Sequence, residues 1–182
     1  MSFIELVKSR QSVRKYSDKT VEKEKIEMCI EAARLAPSAC NSQPWTFIVV
    51  NDRELSLEIA KATYSPVISF NKFAKQAPVM IVIVIEKPKT ITQIGEAVKN
   101  REFPLIDIGI AGEHFCLQAH DLGLGTCMIG WFNEKKVKEL LNIPEKKRVG
   151  FCISLGYQVD NYKFRKKIRK QTDQMCKFNS YQ

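Results

Sequence analysis

No run of apolar residues in the chain is longer than Val79–Ile85. A helix that crosses a bilayer needs roughly 20 such residues, so no membrane span is expected. The first residues carry Glu5 inside a short apolar stretch and no small-residue cleavage site, and no signal peptide is expected either. Internal repeats, low-complexity tracts and Gly/Ser linkers are missing, which reads 1–182 as one domain long enough to bury a sizeable core. The six cysteines (Cys29, Cys40, Cys116, Cys127, Cys152 and Cys176) form no C-x-x-C pair. They read as small hydrophobes of a reducing cytoplasm, not as a disulfide framework or a zinc site. There are only two histidines, and His114, Cys116 and His120 follow no common zinc spacing; the simpler reading puts them on different faces of one helix, and no metal is expected. A G-x-G-x-x-G turn between strand and helix and a Walker lysine are both lacking, which disfavours a conventional dinucleotide fold or P-loop.

Charge and pattern are what the chain does have. The net charge is +9, from 29 basic and 20 acidic residues, and Lys163–Lys170 (KFRKKIRK) alone carries six cations, so without it the balance would be +3. An anion near the C-terminus needs explaining; a polyanion does not follow. Ser2 and Glu5 form a capping-box pattern opening a short helix to about Ser9. Helical spacing of Ile26, Cys29, Ile30, Ala33 and Ala36 predicts a helix over 21–36. Strands are expected at Trp45–Val50, Val79–Ile85 (buried on both faces), Thr126–Ile129 and Val149–Leu155. Further helices are expected after Asp52, over 105–122 with Gly123 as its stop, and from an Asn133 cap to Leu141. Four strands alternating irregularly with four or five helices make an α+β fold with helices on both faces. The last 25 residues hold few apolar anchors, so Ile168, Met175 and Phe178 are expected to pack on a partner chain.

Four segments suit chemistry. Arg10–Arg14 (RQSVR) offers two guanidinium forks and a hydroxyl, a set that phosphate recognition uses, although a solvated polar loop has the same composition. Pro37–Trp45 (PSACNSQPW) is a stiff loop presenting amides and hydroxyls, suited to the edge of a heterocycle; its plain alternative is a helix-to-strand connection. In 123–131 (GLGTCMIGW), Gly130 follows a strand and would let main-chain N–H groups approach a planar ligand. Lys167 and Arg169 sit in the basic tail, which is otherwise a solvated face.

Taken together in this order, the segments resemble the FMN-dependent nitroreductase family. The likeness runs from about residue 2 to 176; its tail portion, Arg169–Asp173, departs at Gln171, where the family usually shows proline. The resemblance implies a central, mainly antiparallel or mixed sheet flanked by helices. It further implies a homodimer with FMN at the subunit interface, and a C-terminal extension (157–182) wrapped on the neighbour. By the same resemblance, Arg10, Ser12, Lys167 and Arg169 hold the FMN phosphate and ribityl chain, with Gln11 beside them. Arg14 lies at the pyrimidine end, where a cation favours the reduced ring. Pro37, Ser38 and Asn41 come from the other subunit, Ile129 and Gly130 place N–H groups near flavin N5, and Asn71 matches a pyrimidine-contacting asparagine. The implied activity is hydride transfer from NAD(P)H to a small planar aromatic or quinone-like acceptor, with ping-pong kinetics and no catalytic side-chain acid or base.

Two other readings fit parts of the sequence. Reductive dehalogenation or flavin fragmentation would keep the flavin but require a substrate-gripping cap, for which only Lys87–Pro104 leaves room. A basic nucleic-acid module would use KFRKKIRK with Tyr157, Tyr162 and Phe164 as stacking rings, but no nucleic-acid motif accompanies them.

Overall fold

The structure, a computed structural model, describes residues 1–181, with the side chains of Glu96 and Ala97 left aside. Residue 182, the last of the span read as one domain, lies outside the described residues. Four strands, β1 (Trp45–Val50), β2 (Val79–Ile85), β3 (Gly125–Ile129) and β4 (Arg148–Gly156), form one antiparallel sheet in the order β1-β2-β4-β3. The seven helices among the described residues are α1 (Phe3–Ser9), α2 (Lys23–Arg34), α3 (Arg53–Lys61), α4 (Thr90–Lys99), α5 (Phe103–Asp121), α6 (Glu134–Leu141) and α7 (Thr172–Met175).

Alternation along β2 shows why the sheet is covered twice. Met80, Val82 and Val84 pack with Ile59 and Ala60 of α3 and Val137 of α6. Val79, Ile81 and Ile83 pack with Ile26, Cys29 and Ala33 of α2 and Ile108, Ala111 and Phe115 of α5. A strand buried on both faces loses the usual polar alternation and reads as an unbroken apolar run. The expected α+β class with helices on both faces is thus the observed one, and β1 and β2 match their expected bounds.

The ends of elements follow their chemistry. Ser2 and Glu5 close the capping box of α1, the Ser2 N–H donating to Glu5 Oε2 at 2.7 Å. Asp52 and Asn133 cap α3 and α6, and Asn142 ends α6 in a left-handed conformation. Helix α5 begins two residues earlier than expected, because Pro104 falls in its first turn, where a missing N–H costs nothing. Helix α4 was not expected; it fills the Lys87–Pro104 stretch reserved for a cap. His114 and His120 diverge on α5, one contacting the Ala32 carbonyl at 3.2 Å and the other Ser9 Oγ at 2.8 Å. Among the described residues no helix is long and apolar enough to cross a membrane.

Helix α1 buries none of its residues, and Phe3 and Ile4 are exposed. Beyond Tyr162 the tail likewise leaves its apolar side chains in the open: Ile168 is 87%, Phe178 84% and Tyr181 95% exposed. Both segments carry apolar surface that this chain does not cover itself.

Candidate functional site

After α1 the backbone turns extended at Arg10 and runs along the free edge of β3, with Ser12 bridged in parallel to Thr126 and the Val13 N–H donating to the Thr126 carbonyl at 2.8 Å. A Cβ at Gly125 would stand 2.6 Å from Val13 Cγ2, so only glycine lets this strip lie so close to β3. The strip fixes four predicted residues at once. Arg10 forms an ion pair with Glu113 of α5. Gln11 Oε1 accepts from the Arg165 main-chain N–H at 3.1 Å, drawing the tail across the strip. The Arg14 N–H donates to the Tyr162 hydroxyl at 3.0 Å, and its guanidinium sits 5.7 Å from the Phe73 ring centre.

The tail completes a cleft. Lys167 Nζ donates to the Val7 carbonyl at 2.7 Å, in the last turn of α1, where carbonyls lack helical partners. Lys8, Gln11, Phe164, Arg165, Lys167 and Arg169 line a cleft of about 540 Å³. Gln11 Nε2 is buried here without a hydrogen-bond partner among the described residues. Burial, followed by the charges of Arg10 and Arg169, holds the Lys167 ammonium below its ordinary pKa. Burial, with Arg10 and Lys167 next, does the same to the His120 imidazole. Crowded cations and an unmet N–H donor are a combination chemically suited to a phosphate-like anion.

The same edge leads along β3 to Gly130. Ile129 is buried, whereas Gly130 is exposed and a Cβ on it would meet nothing within 4 Å. Beside it, Asn71 is buried and donates both amide hydrogens to main-chain carbonyls, of Thr63 at 3.1 Å and Trp131 at 3.2 Å. Its role here is to pin the Gly130–Trp131 segment, and only Oδ1 remains to meet a ligand.

The loop 37–44 belongs to another part of the protomer. Cys40, Asn41 and Gln43 all have positive φ, 51°, 49° and 48°, a conformation that costs a non-glycine residue energy and persists only when its surroundings enforce it. The enforcing bonds are visible. The Ala39 N–H donates to both oxygens of Asp107 at 3.2 Å, Ser38 Oγ accepts from the Gln43 N–H at 2.9 Å, and Ser42 pairs with Thr92 of α4 at 2.7 Å. Pro37 and Asn41 are exposed at its rim. The fold therefore gathers Arg10, Gln11, Ser12, Arg14, Lys167 and Arg169 along one edge with Ile129 and Gly130, while Pro37, Ser38 and Asn41 stand with α4 and the first turns of α5.

Sequence reasoning missed Lys8, Phe164 and Arg165 as lining residues, although Arg165 lay within the basic run. It also missed Glu113 and Asp107, whose partners lie 103 and 68 positions away. Two of the three rings considered for base stacking are tied down internally: the Tyr157 hydroxyl donates to Glu22 at 2.6 Å with Lys19 4.0 Å from its ring centre, and the Tyr162 hydroxyl accepts from the Arg14 N–H, while Phe164 is exposed on the cleft.

Comparison with known proteins bears on the same segments. The family model described as the nitroreductase family matches residues 7–71 and 68–157, a span that takes in the strip, the strained loop and the Gly130 edge. A protein of Archaeoglobus fulgidus, provisionally named NADH dehydrogenase/NAD(P)H nitroreductase, is 34% identical over 169 residues and is aligned over 88% of both chains. The oxygen-insensitive NADPH nitroreductase of Helicobacter pylori is 28% identical, over 74% of this chain and 76% of its own. A solved FMN-dependent nitroreductase of Clostridium difficile superposes with a TM-score of 0.76 at 33% identity, over 98% of this chain and all of its own (100%).

Proposed function

The chain belongs to the nitroreductase family of oxidoreductases, and from that premise we propose that it is a homodimeric, cytoplasmic FMN-dependent reductase passing hydride from NAD(P)H to small flat acceptors such as nitroaromatics or quinones. The observation that carries the reading is the buried, unpartnered Gln11 Nε2 in a cleft ringed by Lys8, Arg165, Lys167 and Arg169. Bound FMN supplies the N5 centre that takes up hydride from the nicotinamide and gives it to the acceptor.

The residues present fit that group. Arg10 and Arg169 supply charge-assisted donors to the phosphate, and Ser12 a hydroxyl. Lys167 has three donor hydrogens and uses one on Val7, leaving two. Gln11 offers its unmet N–H to the same group. Arg14 sets a fixed positive charge at the pyrimidine end, on the side where Asn71 presents Oδ1. The open ledge at Gly130 admits a flat ring against main-chain N–H groups, because no side chain stands there. Pro37, Ser38 and Asn41 approach from the partner protomer, which is why their own chain holds them apart from Arg10. The uncovered apolar side chains of α1 and the tail suit burial between two such chains, and the six free thiols suit a reducing cytoplasm. With positioning and electrostatics as the protein's contribution, no side-chain acid or base is required.

The test is a visible absorbance scan of purified, desalted protein, followed by release and identification of the chromophore. FMN near one per chain is the expected result; protein that stays colourless after incubation with FMN would end the proposal. Donor and acceptor using one open face in turn predicts parallel double-reciprocal plots, and intersecting lines would remove the ping-pong element.

A further inference from the structure

We infer that Glu113 is an internal competitor for the cofactor phosphate, setting how tightly this protein prefers phosphorylated flavin over riboflavin; the inference rests on the flavin reading above. Arg10, at the end of α1 and close enough to the cleft for its charge to act on Lys167, meets Glu113, midway along α5, in an ion pair whose side chains are 29% and 35% exposed. Partial burial weakens screening, so these charges act on their neighbours. The charged groups that line the cleft, Lys8, Arg165, Lys167 and Arg169, are all cationic. Glu113 is an acid behind that lining, paired with Arg10, and its charge is felt at Lys167.

Holding α1 in place does not account for the pair. That helix is fastened independently, by Ser9 to His120 at 2.8 Å and by Lys167 to the Val7 carbonyl at 2.7 Å. The pair engages Arg10 through Nη2, and no bond to its Nε or Nη1 is made among the described residues. A phosphate dianion docking there shares the guanidinium with a carboxylate that repels it. The penalty falls on the phosphate alone, because the ring and the uncharged ribityl chain carry no charge for Glu113 to oppose.

Glu113→Gln isolates this effect, since the amide oxygen still accepts from Arg10 while the negative charge is gone. Full-length protein, stripped of flavin by dialysis, is titrated with FMN and with riboflavin, reading the quenching of flavin fluorescence. The expected result is FMN binding tightened about five- to tenfold with riboflavin unchanged, the size of effect one removed charge gives in a half-exposed site. Unchanged or weaker FMN binding, or an equal gain for riboflavin, overturns the inference while leaving the flavin reading intact. Failure of the parent protein to bind FMN at all ends that reading, and this one with it. Should Glu113→Gln fail to fold, Glu113→Ala is judged by the same FMN-to-riboflavin comparison.

Discussion

Asp107 anchors a distant loop from within a largely apolar helix. Its carboxylate is buried, and both oxygens accept the single Ala39 N–H at 3.2 Å, anchoring the strained loop 38–43. Burial pushes its pKa up and the Ala39 bond brings it only part of the way back. A carboxyl raised on folding holds its proton more tightly in the folded chain. The stability it contributes is therefore complete below its unfolded value and drains away as pH rises through its folded one. Asp107→Asn keeps an acceptor for Ala39 without the buried charge, so its Tm should exceed the parent's at pH 7, with the gap closing below about pH 4. A Tm deficit that widens with rising pH would show the ionised form to be stabilising. At the cleft, Arg169→Ala removes a charge-assisted phosphate contact and should weaken FMN at least about tenfold by fluorescence titration. Unchanged affinity would detach the tail from the site. Arg169 was legible as part of a basic run; Asp107 was not, because nothing local distinguishes a carboxylate in an apolar helix from one that will meet a loop 68 positions away.

Caps and spacing decide the elements, and their energetic worth depends on what each helix buries. Asp52 Oδ1 accepts from the Leu55 N–H at 2.8 Å, and α3 buries Ile59 and Ala60 against the sheet. Asp52→Ala should cost about 0.5–2 kcal/mol, seen as a lower urea midpoint at unchanged m. Ser2→Ala breaks the capping box of α1, but α1 buries nothing, so the midpoint should stay where it is. Helix α4 escaped the sequence reading for a related reason. Ile91, Ile94 and Val98 recur at helical spacing yet face solvent at 61%, 56% and 71% exposure, so their periodicity marks no core. What holds α4 is buried Thr92, through its hydroxyl bond to Ser42, a contact with no signature in the sequence.

Across the whole molecule, apolar surface is left uncovered on α1 and along the tail, as it is on α4. Sedimentation should find the full chain at twice its own mass. A variant ending at Tyr162 keeps the residue that receives the Arg14 N–H but removes Lys167, Arg169 and the exposed Ile168 and Phe178. Its dimer should dissociate at higher protein concentration than the parent's, and FMN should no longer co-purify. Truncated protein that retained both properties would leave the tail with neither role.

The four strands and most of the helices that cover them could be read from the chain. Uninterrupted β-branched runs, helical spacing and capping residues are local signals, and a chain that must bury apolar surface obeys them wherever they occur. The order of the Arg10–Arg14, Pro37–Trp45 and Gly123–Trp131 segments was legible too, and all three lie within the span that the family model matches. Which of them meet depends on long-range packing. The Arg10 strip and the tail converge because Gly125 admits Val13 and because Lys167 completes the end of α1, whereas the loop at Pro37–Asn41 is carried off by Asp107 and Thr92. Glu113 beside Arg10 belongs wholly to the fold, since an ion pair across 103 residues exists only once α5 has packed beneath α1.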